Sequence, residues 1–210
     1  MDTTKPPGSS HPPAGTNRPH TGRRRNEAAH QAILDAALDL LAHGDGAPVS
    51  IDAIARAAGI GKQTVYRWWP SKGALLLDAL THRAAQDVAD PDTGALPADL
   101  LAFVTSTFDA AQHPGTAPAL RTLVREAARD PHLADLMRAY TASRRAALHD
   151  LLDRGRSRGE LAPDTDLDLM VDQIYGLFWY RFILECAPLD RTTARRLVRA
   201  LLPTTPPAAG

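Results

Sequence analysis

The chain has 210 residues, room for one large or two modest domains, and 44% of them are hydrophobic with few β-branched runs, which favours an all-α core. Its 24 basic and 24 acidic side chains cancel, so a uniformly cationic surface is excluded. Charges interrupt the long apolar stretches and the N-terminus lacks a signal-peptide core, which argues against a membrane span and points to the cytoplasm.

The charges are unevenly placed. Residues 1–72 hold nine basic and six acidic side chains, against fifteen and eighteen in the remainder, so the first third carries the positive potential that attracts phosphate. Residues 1–22 are rich in Pro, Gly, Ser and Thr and read as a disordered tail. Arg23, Arg24 and Arg25 follow directly, before a first helix expected over Asn26–His43 from the spacing of Ile33, Ala37, Leu40 and Leu41. Three guanidiniums on a flexible arm suit phosphates or a narrow minor groove, although a solvated charge run has the same composition. Gly44, Asp45 and Gly46 stop this helix.

The stretch 50–72, SIDAIARAAGIGKQTVYRWWPSK, reads as two short helices joined by a tight turn, with a third beginning behind them. Ser50 offers an N-cap hydroxyl, and Ile51, Ile54, Ala55 and Ala58 form the apolar face that follows. Gly59 supplies the left-handed residue of a sharp turn, Ile60 plugs the angle, and the next helix runs from Lys62 to about Trp69. Its Val65 and Trp69, four residues apart, face inward and leave Lys62, Gln63, Thr64, Tyr66, Arg67 and Trp68 outside. That set suits double-stranded DNA. Lys, Gln and Arg donate to base edges or phosphates, the Thr and Tyr hydroxyls suit phosphate oxygens, and an aromatic ring can rest on a thymine methyl. Pro70 breaks the helix, Ser71 caps a fourth that runs to about Ala89, and Lys72 sits in its first turn, where amides and ammonium together hold a phosphate.

The run TVYRWWPSKGALL resembles the recognition-helix segment of the tetracycline-repressor (TetR) family, whose pattern is Thr-hydrophobic-Tyr-x-x-aromatic-x-x-Lys-x-x-Leu. Thr64, Val65, Tyr66, Trp69, Lys72 and Leu75 fall on pattern positions, and the AxxAGI turn is present as Ala55 to Ile60. Trp68 departs from it, standing where these proteins often carry histidine, so a ring on sugar or methyl replaces the contact the family implies there. The resemblance covers about residues 25–80 strongly. It implies a helix-turn-helix DNA-binding unit over 23–89, a larger helical body for ligand binding and dimerisation over 97–202, and no cofactor.

Asp90 to Pro97, DPDTGALP, marks the boundary. Beyond it, breakers delimit helices expected over Ala98–Gln112, Ala117–Arg129, Pro131–Ser157, Asp166–Cys186 and Asp190–Leu202, about nine helices in all, before a disordered tail at 203–210. The helix 166–186 is apolar on more than one face. It is expected to pack on its own body and also on a second copy, with Met170, Ile174, Leu177, Phe178 and Arg181 at the dimer interface. A homodimer also follows from the DNA, since one recognition helix reads too few base pairs to be specific.

Phe103, Phe108, Leu123, Met137, Tyr140, Tyr175 and Trp179 can line a cavity for a small hydrophobic effector, although residues at such spacing are more often plain core. No Ser/His/Asp grouping, HExxH or glycine-rich phosphate loop is visible, so neither an enzyme nor a metal site is expected. The lone Cys186 reads as a small buried hydrophobe. These features describe a ligand-responsive DNA-binding regulator, in the first place a repressor of a palindromic operator. The alternative is an architectural or low-specificity DNA-binding protein without a ligand.

Overall fold

The computed structural model describes residues 20–43, 49–87 and 90–202, which form nine helices and no strand. In order these are α1 (His20–His43), α2 (Ile51–Ala57), α3 (Lys62–Trp68), α4 (Lys72–Asp87), α5 (Leu96–Gln112), α6 (Thr116–Ala127), α7 (Pro131–Ser157), α8 (Leu167–Leu184) and α9 (Arg191–Leu201). The expected tails at 1–19 and 203–210 and the Gly44-Asp45-Gly46 stop lie outside the described residues.

Two expectations about helix ends are corrected. α1 begins at His20, ahead of Asn26, so residues 20–22 and Arg23, Arg24 and Arg25 belong to its first turns and not to an arm before it. At the other end of the chain, α8 stops at Leu184, where Glu185 takes a left-handed conformation (φ 50°) and its carboxylate pairs with Arg121 of α6. Cys186 therefore lies beyond the helix and is exposed, not buried within it.

Side chains cap the starts of the later helices, as the sequence demands of orphan amides. The Asp130 carboxylate accepts from the His132 and Leu133 N–H groups, Asp166 from Leu169 and Asp190 from Thr193. α5 has no such cap. Instead the Leu96 N–H donates at 2.7 Å to Glu160 Oε2, in the turn that follows α7. Beside it, Thr93 donates its N–H and hydroxyl to Asp99 Oδ1, at 2.8 and 2.7 Å, and the Arg158 guanidinium approaches both Asp99 and Glu160.

Leu34, Leu38, Ile51, Ile54, Val65 and Trp69 close the small core of α1–α3. Ile60 and Leu41 pack against it, partly exposed. α4 is the joint between this unit and the body. Its Leu75, Leu76, Leu77, Ala79 and Leu80 are all buried, because α1 covers one side and α5, α6 and α7 cover the others. α1 also meets α6 directly. A side chain at Gly115, just ahead of α6, would place its Cβ 2.5 Å from the Leu38 carbonyl oxygen, so only glycine permits this approach. In the body, Phe108 of α5 stacks on Phe178 of α8 with ring centres 6.2 Å apart, and α9 packs on α5.

Candidate functional site

The second and third helices are short, and the turn between them fixes how the third is presented. Ser50 Oγ accepts from the Ala53 N–H at 3.2 Å, a cap contributing about 0.5–2 kcal/mol. Gly59 has φ 67°, a conformation costly for other residues, and lets the Ile60 N–H reach back to the Ala55 carbonyl at 2.9 Å. α3 then leaves with Val65 fully buried and Trp69, its C-cap, 5% exposed, both facing inward.

Lys62, Gln63, Tyr66 and Arg67 are exposed on the opposite face, while Thr64 and Trp68 are half-buried. Two of the cations are already engaged. Lys62 Nζ lies 2.7 Å from Asp52 Oδ1 on α2 and 5.7 Å from the Tyr66 ring centre, and the bond to Asp52 holds its pKa above the ordinary lysine value. Arg67 lies over the Trp68 ring at 5.8 Å. Trp68 is braced by His30 of α1, ring centres 5.6 Å apart, and meets Trp69 edge-on. Under this layer, Asp78 of α4 gathers three elements at one oxygen: Trp69 Nε1 donates to Oδ2 at 2.9 Å and His30 Nε2 lies 3.2 Å from it. Ser71 Oγ accepts from the Ala74 N–H at 3.1 Å, which leaves Lys72 in the first turn of α4, its ammonium 2.8 Å from Glu126 Oε1 on α6.

The body holds a second feature. α4 to α8 converge on a small cavity of about 60 Å³, open in part to solvent. Leu80 and Arg83 of α4 and Ala110 of α5 face it, as do Tyr140 and Arg144 of α7. Of the residues expected to line it, Tyr140, Tyr175 and Trp179 do so. Phe103, Phe108 and Leu123 are buried in the core away from its wall, and Met137 packs beside them, partly exposed. Burial raises the pKa of the Tyr140 and Tyr175 hydroxyls, the latter to about 12, against the nearby positive charge of Arg144. Both stay neutral donors at ordinary pH.

The residues expected at a dimer interface are mostly turned inward. Met170, Ile174 and Phe178 are at most 7% exposed in the single chain, and Leu177 is half-buried. Arg181 donates to the Pro188 carbonyl at 2.7 Å and to Thr193 Oγ1 at 2.9 Å, tying α8 to α9. The outward face of α8 carries instead Leu169, Gln173, Gly176, Tyr180, Ile183 and Leu184, with the exposed Asp168 and Asp172 at its edge. Among the described residues no group of three His, Cys, Asp or Glu side chains could hold a metal ion, and no helix is long and apolar enough to cross a membrane.

An exposed, cation-bearing second helix on a two-helix turn, seated through α4 and α1 on a body with a cavity, is the arrangement of a DNA-binding transcription regulator. The sequence profile described as bacterial regulatory proteins, tetR family, matches residues 33–79, and the one described as Tetracyclin repressor-like, C-terminal domain, matches residues 90–201. The chain belongs to the TetR family. It is 32% identical over 179 residues to the uncharacterized HTH-type transcriptional regulator YdeS of Bacillus subtilis, covering 84% of this chain and 89% of that one. With the DNA-binding transcriptional repressor TetR of Mycobacteroides abscessus it shares 33% identity over 181 residues, 85% of this chain and 94% of the relative. The crystal structure of TetR family transcription regulator SCO0332 superposes with a TM-score of 0.73 at 34% identity, over 85% of this chain and 99% of that one.

Proposed function

We propose that the protein is a cytoplasmic repressor that holds a palindromic DNA operator as a homodimer and lets go when a small hydrophobic effector enters the cavity. The double role of α4 carries this reading. Lys72 in its first turn stands beside the recognition surface, and Leu80 and Arg83 further along form cavity wall. Lys72 and Arg83 are about 16 Å apart along the axis at 1.5 Å per residue. An occupant that tilts α4 moves the whole DNA unit with it, and a palindrome requires two recognition helices about 34–36 Å apart. The effector acts only as far as it prefers the released form, ordinarily by ~1–3 kcal/mol, and by linkage binds less tightly when operator is present.

The outward stripe of α8 supports the dimer. Leu169, Gln173, Gly176, Tyr180 and Ile183 recur at alternating steps of four and three residues, the seam spacing of paired helices, and Leu169, Tyr180 and Leu184 are more than half exposed in the single chain. Repression is supported by the similarity to the M. abscessus protein that bears that description. The test is selection from a random-sequence duplex pool by the purified protein. Selected sites are expected to be palindromic, with half-site centres about 10 base pairs apart and an even number of chains on each. An asymmetric site occupied by a single chain overturns the proposal.

A further inference from the structure

The cavity is largely apolar, yet residues of its wall carry buried polar atoms without partners. Among the described residues five buried side-chain polar atoms have no hydrogen-bond partner, and three of them, Thr107 Oγ1, Thr116 Oγ1 and Arg144 Nη2, belong to residues lining this cavity. They come from α5, α6 and α7, so no single backbone irregularity accounts for them. A buried polar atom left unpaired is costly, and an unpaired cation most of all.

Arg144 differs from its neighbours on α7. Arg138, Arg145, Arg154 and Arg156 each sit against a carboxylate, from Asp135, Asp172, Asp90 and Asp153. Arg144 has no carboxylate within ion-pair distance among the described residues, and its guanidinium lies instead over the Phe103 ring, 5.6 Å from its centre. The tyrosines beside it do not supply the missing charge. Tyr175 donates its hydroxyl to the Arg144 backbone carbonyl at 3.0 Å, and burial keeps both it and Tyr140 protonated.

We propose that the effector is a hydrophobic monoanion, an organic acid whose compact anionic head takes the bare edge of Arg144 while its apolar body lies against Leu80, Ala110 and Trp179. The wall hydroxyls of Thr107 and Thr116 are further donors for polar atoms of the same molecule. This assignment rests on the reading of the cavity as the effector site.

Two fluorescent probes separate the ideas. 1-Anilinonaphthalene-8-sulfonate and N-phenyl-1-naphthylamine share one aromatic body, and only the first carries an anion. Titrated into the full-length protein, the sulfonate is expected to bind about tenfold more tightly than the amine, the scale of one charge-assisted hydrogen bond. Arg144→Met removes the preference by weakening the sulfonate and sparing the amine, and Arg144→Lys keeps part of it. Thermal melts confirm that the variants are folded, and Arg144→Gln replaces the methionine variant if that one melts early. Ala110→Trp fills the cavity and abolishes both signals. Equal binding of the two probes by the wild type, or a preference that survives loss of the guanidinium, overturns the anion assignment and leaves the cavity reading intact. Binding of neither probe, or binding unchanged by Ala110→Trp, overturns the cavity reading itself.

Discussion

Lys72 Nζ lies 2.8 Å from Glu126 Oε1, so the cation proposed to meet a DNA phosphate is held by α6 of the larger helical body. The pair is partly exposed and weak by itself, but it sets up a competition between phosphate and carboxylate for one ammonium. Lys72→Ala is expected to weaken binding to every duplex alike and to reduce the slope of log Kd against log salt by about one. Glu126→Gln frees the ammonium and is expected to tighten binding a few fold. Anisotropy titrations of a selected duplex across a salt series measure both, and an unchanged slope in Lys72→Ala removes Lys72 from the phosphate contacts.

Substitution of Lys62 or Gln63 should act differently, altering which bases are preferred at a cost of ~1–3 kcal/mol for each lost bidentate contact. Because Asp52 sits 2.7 Å from Lys62, Asp52→Asn should release that side chain without changing the bases it prefers. Selection profiles of the three variants against the wild type decide this. Identical profiles throughout would show that α3 touches only the backbone.

Charge on the outward stripe of α8 tests the homodimer. Ile183→Asp and Tyr180→Asp place a carboxylate on a face that is exposed in the single chain, so folding should survive while self-association and operator binding are lost. Phe178→Asp buries its charge within the protomer and should unfold it instead. Sedimentation at micromolar concentration separates the outcomes, and a monomeric wild type ends the dimer proposal.

Asp99 gives the stability a pH dependence of known sign. Burial opposes its ionisation, but the Thr93 N–H and hydroxyl, with Arg158 and Arg154 nearby, outweigh this and hold its pKa below the ordinary carboxylate value. Its contribution is therefore complete above the unfolded value, near 3.9, and is lost as pH falls through the lower folded value. Asp99→Asn should lower Tm at neutral pH, by roughly 1.5–3 kcal/mol of stability, and flatten the acid limb of a Tm–pH curve. An acid limb of unchanged slope would assign the dependence to other carboxylates.

The helix-turn-helix unit was legible because its rules are local. Gly59, the Ser50 hydroxyl and the four-residue step from Val65 to Trp69 each act within one or two turns, and the structure places them as the spacing predicts. The orientation of α8 was not legible. A helix that is apolar all round carries no sequence signal for which face meets its own body, so Met170 and Phe178 were assigned outward while Tyr180 and Leu184 take that side. Partners on different helices, such as Asp52 with Lys62 or Glu126 with Lys72, have no periodicity to betray them. Arg144 did leave a trace. The residues three and four positions away, Tyr140, Thr141, Ala147 and Leu148, include no acid, so the helix itself offers this cation no counter-charge.

The buried leucines of α4 also bear on how such a chain changes over generations. On the proposed reading, its address on the chromosome is written on α3 and the taste of its sensor on wall residues drawn mainly from α5 to α8, with α4 seated between them. If that proposal holds, alterations at Thr107 or Trp179 redirect the stimulus without rewriting the address, provided Leu75, Leu76 and Leu80 keep α4 seated. A lineage, or an engineer building a biosensor, would then exchange input and output separately.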